Sequence, residues 1–444
     1  MSCVDPNTIV AIATPPGRGG VGVLRISGAG VREIAHAMLQ RLPPARYADY
    51  REFADADGET IDVGLALYFP GPHSYTGEDV LELHAHGSPV VLDLLLQRVV
   101  ALGARRAEPG EFTQRAFLNG KLDLAQAEAV ADLIASASEQ AARSALNSLQ
   151  GAFSAEVQRV IDKLVQLRVG VEGDLDFTEE QDATMAEDSV VRSALGNLNE
   201  TMAELLQQAE RGAVLSDGMN VALIGKPNVG KSSLFNRLVR EQRAIVAASP
   251  GTTRDVIRQS IQLDGIPVEL VDTAGLRQSE DPVEREGITR AEKAGGSADL
   301  VIEIHEYRPG EPPTVATDPR TVIVYNKIDL HGLEPSEDLT GGSPVVYLSA
   351  RTGQGVAALE AAIKRAIGPA DGTLGDFSAR ARHLDALRSA QSFLADASER
   401  AAAGSQELLA EHLRLAQLSL SEIRGGFTSE ELLGEIFARF CIGK

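Results

Sequence analysis

Three hydrophobic textures alternate along the chain. Toward the C-terminus, Leu409, Leu413, Ala416 and Leu420 recur at i, i+4, i+7 and i+11, and Leu433, Ile436, Phe437 and Phe440 repeat the rhythm. That 3.6-residue period predicts amphipathic helices. No proline lies between Pro109 and Pro227 or after Pro369. Proline disrupts helix interiors, so these alanine-rich stretches predict two helical arms. Between them, the short apolar runs NVALIG, IPVELVDT, LVIEIH, TVIVYNK and PVVYLSA are separated by polar or helical segments. Such βα alternation predicts a mostly parallel sheet with helices on both faces. The first 118 residues, rich in Gly and Pro with strand-like runs, form a third texture.

The expected architecture is therefore multidomain α/β + α. An N-terminal α+β unit covers 1–118, and a helical domain is split between 119–216 and 369–444. An α/β module over 217–368 is inserted into that domain. The acidic stretch 172–188 reads as a solvated helix end and loop.

Charge narrows the function. Forty-two basic against 63 acidic residues give −21, which argues against a broad basic surface for nucleic acid, because phosphate neutralisation dominates such binding. It leaves room for a nucleic acid presented by a partner. Cys3 and Cys441 are the only cysteines, too few for a disulfide framework or zinc site and compatible with a reducing cytosol. No signal peptide or 18-residue apolar span is evident. A soluble, cytoplasmic protein is expected.

GKPNVGKS fits G-x-x-x-x-G-K-[ST] through Gly225, Gly230, Lys231 and Ser232, between the strand-like NVALI and the helical SLFNRLVR. Backbone N–H groups of such a loop cradle phosphates at a helix N-terminus. Lys231 would reach the β- and γ-phosphates and Ser232 would ligate Mg²⁺; Asn228, Val229 and Ser233 complete the loop. DTAG (272–275) places Asp272 behind the metal, with Thr273 and Ala274, and the Gly275 N–H toward the γ-phosphate. NKID ends another strand with Asn326, Lys327 and Asp329. Guanine presents N1–H and N2–H₂ side by side, and the Asp329 carboxylate can accept from both. Adenine would leave that carboxylate unpaired. SARTGQG adds Ser349, Ala350 and Arg351 on the base side. Together these motifs specify a GTPase.

Its hydrolytic machinery departs from the Ras pattern, since Leu276 stands where Gln would orient water. The segment Ala247, Ala248, Ser249, Pro250, Gly251, Thr252, Thr253 could close over the nucleotide, with Thr253 on Mg²⁺. Asn228 and loop carbonyls could hold a monovalent cation. Arg254 is the other source of positive charge, with a loop-anchoring ion pair as its alternative.

Further strings carry a resemblance: IATPPGRGGVGVLRISG, HSYTGEDVLELHAHG, PGEFTQRAFLNGKLDLAQAEAVADLI, GTTRD and FCIGK. The chain resembles the MnmE (TrmE) family of tRNA-modification GTPases from end to end. The resemblance implies a K⁺-dependent GTPase whose G domains dimerise, with Asn228, Ala247, Ser249 and Thr252 around K⁺ and Glu284 orienting water. It implies a homodimer that works with an MnmG-type FAD- and NADH-dependent subunit in a heterotetramer, modifying C5 of the tRNA wobble uridine with aminomethyl or carboxymethylaminomethyl groups. A 5-formyl- or methylene-tetrahydrofolate would bind at Arg25, Glu82, Lys121 and Lys444. Two positions depart from the pattern: Pro250 restricts Ser249 to extended conformations, and Ala85 stands where relatives often have glycine. A ribosome-assembly or signalling switch with partner-binding arms is the competing reading.

Four features remain open to other readings. GRGGVG (17–22) matches a dinucleotide fingerprint, but Pro15 and Pro16 precede it and the strand-like VLRIS follows, so a turn, or part of a folate pocket and dimer contact, is expected instead. Glu82, His84 and His86 share a strand face and could suit a metal, given second-shell support. Arg25 lies in an apolar strand and needs a partner, either a ligand or a salt bridge. Cys441 in FCIGK is a poor lipidation box, because Gly443 and Lys444 fill its last positions. It reads as a helix-end packing residue or as a thiol delivered to the modification centre.

Overall fold

The alternating stretch VGVLRIS lies, in the computed structural model, on an inner strand of a six-stranded sheet. The structure describes residues 8–176, 184–241, 257–263, 266–272, 298–311, 318, 320–340, 343–367, 376–426, 430–438 and 440–443. Two compact units divide the chain: Met1–Ala131, Leu149–Thr184 and Asp396–Lys444 form one, Asp132–Ser148 and Met185–Ala395 the other.

In the first unit, strands β1 (Ile9–Ile12), β2 (Gly19–Ser27), β3 (Asp49–Ala54), β4 (Thr60–Phe69), β5 (Val80–Gly87) and β6 (Arg105–Arg106) align as β3-β4-β5-β2-β1-β6. All pairs are antiparallel except β1 with β6. Alternation sends Leu24, Ile26, Leu81 and Leu83 to one face, where they meet Ile34 and Met38 of the helix Val31–Leu39 and Leu95 and Val99 of the helix Pro89–Ala101. Fully burying such a side chain stabilises the fold by roughly 1.5–3 kcal/mol. Pro89 begins its helix behind Ser88, where its missing N–H costs nothing. A Cβ on Gly22 would sit 2.5 Å from Leu92 Cδ1, so glycine lets this helix press against the sheet.

Of GRGGVG, Gly17 and Arg18 stay in the bend that leads into β2, but Gly19–Gly22 are strand. Strand β2 begins at Gly19, which pairs with Gly87, and a bulge lies between Gly19 and Gly22. A Cβ on Gly87 would lie 2.5 Å from Gly19 O; close backbone approach, invisible to propensity, makes these glycines a strand. The next partner is antiparallel, which is no βαβ unit.

The C-terminal periodicity also has a core. Ile436, Phe437 and Phe440 pack with Leu124 and Ala127, flanked by Phe117 and Leu433. Helix Glu430–Ala438 carries most of this stripe, with Phe440 just beyond it. Helix Gln406–Ile423 lies along helix Ala152–Asp176. The acidic 172–188 stretch falls partly outside the described residues.

In the second unit, β7 (Met219–Gly225), β8 (Ile257–Leu263), β9 (Ile266–Asp272), β10 (Leu300–Glu306), β11 (Thr321–Asn326), β12 (Ser336–Asp338) and β13 (Val345–Tyr347) align as β12-β13-β11-β10-β7-β9-β8. The inner strands are parallel, and the edge strands β8 and β12 are antiparallel to their neighbours. Val221, Leu223, Ile302, Ile304, Val322 and Val324 are essentially fully buried against Leu234 and Leu238 of the helix Lys231–Glu241 and Leu359 and Ile363 of the helix Val356–Ile367. This burial explains the continuous apolar runs of the central strands. The mostly parallel sheet and the helices that precede and follow it in sequence match the expected α/β + α class. Where the chain leaves the sheet region, Ser378 N–H donates to Ser148 Oγ at 2.8 Å and Arg380 Nε to Asp132 Oδ1 at 3.0 Å.

Candidate functional site

In open α/β sheets, ligands bind beyond the carboxyl ends of the strands. There β7 ends at Gly225, β9 at Asp272, β11 at Asn326 and β13 at Tyr347. Gly225 has φ +147° and Gly230 φ +103°; a Cβ on Gly230 would lie 2.1 Å from Asn326 Nδ2. That position therefore needs glycine. Asn228 also adopts positive φ, +63°, and is exposed. Lys231 opens the following helix, is 9% exposed, and folds back so that Nζ donates to Gly225 O and Lys226 O, both at 2.8 Å. Val229 is buried, while Ser232 and Ser233 are exposed in the first helical turn.

Asn326 ties the phosphate loop to the base loop. Its Nδ2 donates to Val229 O at 2.8 Å, and its Oδ1 accepts from Lys327 N at 2.8 Å and Ala350 N at 2.9 Å. Lys327, at φ +69°, directs Nζ to Glu306 Oε1 at 2.9 Å. Asp329 is 10% exposed; Oδ1 accepts from the Ser349 hydroxyl and Oδ2 from Arg351 Nη2, each at 2.6 Å. The Ser349 hydrogen bond foremost, with the Arg351 charge, holds the Asp329 carboxyl below the usual carboxylate range against its desolvation. Such a group stays ionised and can accept only. Arg237, from the helix Lys231–Glu241, donates to Ala350 O at 3.2 Å and Arg351 O at 2.6 Å. Phosphates at the helix N-terminus and a two-donor base edge at Asp329 suit this arrangement.

Ala247, Ala248, Ser249, Pro250, Gly251, Thr252, Thr253, Arg254, Thr273, Ala274, Gly275, Leu276, Glu284 and Lys444 lie outside the described residues. For Asp272, backbone pairing to Leu223 and Ile257 is described.

The first unit holds a second polar site. Antiparallel register puts Arg25 opposite Glu82, and Arg25 Nε donates to Glu82 Oε1 at 2.8 Å. Arg25 Nη1 also donates to Gly443 O at 3.3 Å. The guanidinium lies 5.5 Å from the Tyr75 ring centroid and 5.8 Å from that of Phe112, within cation–π range. His84 Nε2 lies 3.1 Å from Glu82 Oε2. Burial opposes ionisation of Glu82, but the Arg25 charge and the His84 hydrogen bond outweigh it and hold the carboxyl below its usual range. Gly443 has φ +96°, and a Cβ there would lie 2.7 Å from Ile12 O. Cys441 is exposed, its carbonyl accepting from Gly110 N at 3.4 Å.

The sequence reading paired with this geometry unevenly. Arg25, Glu82 and the terminal segment come together; Lys121 is exposed, its N–H donating to Ala116 O at 2.8 Å. His86 turns to Asp62, 2.8 Å away, and among the described residues no three His, Cys, Asp or Glu converge as a metal site. Tyr75, Phe112, Glu306 and Arg237 were not anticipated. They act across sequence distances that no motif spacing reveals. Among the described residues no helix is long and apolar enough to cross a membrane.

Comparison with known proteins places the chain. The family pattern described as GTP-binding protein TrmE N-terminus matches residues 8–121, and that of the MnmE helical domain matches 124–441. A protein of Methylococcus capsulatus named tRNA modification GTPase MnmE is 50% identical over all of both chains. The protein of that name from Yersinia pseudotuberculosis serotype IB is likewise 50% identical over all of both. The solved G domain of the T. maritima FeoB iron transporter is 26% identical, covering 34% of this chain and 99% of its own, at a TM-score of 0.24 that carries no argument. With its P-loop, its base loop and these full-length relatives, the chain belongs to the MnmE family of tRNA modification GTPases.

Proposed function

We propose that the chain hydrolyses GTP in a K⁺-dependent, dimerisation-activated cycle that serves C5 modification of the tRNA wobble uridine. One observation carries the reading. Asn326 binds the phosphate loop to the base loop in a chain related end to end to enzymes named tRNA modification GTPases. In this reading 1–118 is a tetrahydrofolate-binding and dimer-forming unit, 119–216 and 369–444 are helical halves, and 217–368 is the G domain.

Each residue has a stated part. Lys231 neutralises phosphate charge, while Ser232 and Thr253 hold Mg²⁺ with Asp272 behind it. Asn228 offers a neutral carboxamide oxygen suited to K⁺, joined by Ala247, Ser249 and Thr252. Bound there, K⁺ supplies positive charge of the kind an arginine finger supplies, worth about 10³–10⁵ in rate. Glu284 orients the water that Leu276 cannot. Arg25 and Glu82, flanked by Tyr75 and Phe112, suit a flat ligand with both donor and acceptor edges. With Lys121 and Lys444 they form the folate site, beside which Cys441 presents its thiol. The acidic balance of −21 is compatible with an FAD- and NADH-dependent subunit of the MnmG type carrying most of the tRNA surface, in a cytoplasmic heterotetramer.

Two measurements test this. Hydrolysis is expected to be at least about tenfold faster in K⁺ than in Na⁺, by the arginine-finger analogy; equal rates would remove the cation role of Asn228. Mass spectrometry of tRNA nucleosides from a strain lacking this chain should show wobble uridines without their C5 group, and normal nucleosides would refute the tRNA role.

A further inference from the structure

The base-reading carboxylate already has two donors. Asp329 Oδ1 accepts from Ser349 and Oδ2 from Arg351, both at 2.6 Å. These donors differ in permanence. Ser349 is fully buried, and its Oγ also accepts from Thr352 N at 3.2 Å, so its hydroxyl belongs to the loop. Arg351 is 76% exposed, and its carbonyl is pinned by Arg237 Nη2 at 2.6 Å. Its backbone is held while its side chain faces water. The displaceable donor at Asp329 is therefore the Arg351 guanidinium.

A guanine read by Asp329 brings two donors of its own and draws on both carboxylate oxygens. We propose that Arg351 competes with the base for Asp329 Oδ2 and so sets both the affinity and the base selectivity of the site. This rests on the reading of Asp329 as the guanine acceptor. Competition lowers affinity, because each guanine must displace an ion pair before it profits from the carboxylate. It also relaxes selectivity. Hypoxanthine keeps N1–H but lacks the exocyclic amine, so it serves one oxygen only. Arg351 can keep serving the other, which forgives the missing donor. Without Arg351 that oxygen has neither a protein nor a base donor, and the missing amine costs more.

The test uses the full-length protein and ribose-labelled fluorescent nucleotides. For Arg351→Ala, the Kd for GDP is expected to fall about two- to fivefold, the scale of a solvent-screened ion pair. The preference for GDP over IDP should widen by a similar factor. Arg351→Gln, which keeps most of the chain length but no charge, should do the same. Unchanged or weaker GDP binding with both variants, at wild-type melting temperature, would overturn the proposal. Asp329→Asn separates the two layers. If it exchanges GDP for XDP preference, Asp329 reads the base, and adding Arg351→Ala should then leave XDP affinity unchanged; a two- to fivefold gain there would show Arg351 acting elsewhere and sink the competition. If Asp329→Asn keeps full GDP affinity, the guanine reading itself fails.

Discussion

Two arginine–carboxylate pairs, one in each unit, both close within hydrogen-bond range and share little else. Arg25–Glu82 spans 2.8 Å with both side chains 16% exposed. Arg351–Asp329 spans 2.6 Å with the carboxylate 10% exposed and the arginine 76%. Distance alone would rank the second as the tighter. The cation's exposure separates them. A guanidinium held between two rings and a backbone carbonyl has lost its water, so removing it strands a desolvated carboxylate. A guanidinium in solvent is screened and gives up side-chain entropy to stay paired. The first pair is a fixture of its sheet, and the second is an exchangeable contact at a binding edge.

The sharpest way to probe this contrast is to remove the carboxylate of the exchangeable pair. Asp329→Asn should weaken GDP binding by at least about a hundredfold and favour XDP, since a site built to accept two donors rejects a mismatch strongly; fluorescence titration with both nucleotides checks it. Next in size is the fixture. Arg25→Ala should destabilise the first unit by about 1–3 kcal/mol, read as faster hydrogen exchange of β2 and β5 amides. An effect as slight as that of Arg351→Ala would erase the distinction drawn between the pairs. The same exchange experiment carries a pH signature. Glu82 has a depressed carboxyl pKa in the fold, so its stabilisation is complete above the unfolded-state value. It drains away as pH falls below about 4.3. Arg25→Ala should flatten that acid dependence. The smallest expected change is the two- to fivefold tightening by Arg351→Ala, opposite in sign to the others.

The contrast also explains what the sequence could reveal. The loops of the second unit were legible because their residues lie in short strings: Asn326 and Ala350, and Asp329 and Ser349, which the motifs name, meet across two loops. The first-unit site is assembled from residues 57 and 418 positions apart. Arg25 stood out as a cation in an apolar strand, and its need for a partner could be stated. The register that supplies Glu82, and the rings of Tyr75 and Phe112, follow only from strand pairing and packing. Glycine misled in the same way: GRGGVG reads as a turn by propensity, yet close approach of Gly19 to Gly87 draws Gly19–Gly22 into β2. Strand identity there is decided by the neighbour.

Arg237 has one more consequence. It rises from the helix that follows the G-x-x-x-x-G-K-[ST] loop and grips the carbonyls of Ala350 and Arg351. The two ends of a nucleotide would thus rest on one lever. In the proposed reading, a tilt of this helix would shift a single guanidinium and disturb both ends of the ligand at once, so that nucleotide exchange would be a one-handed operation.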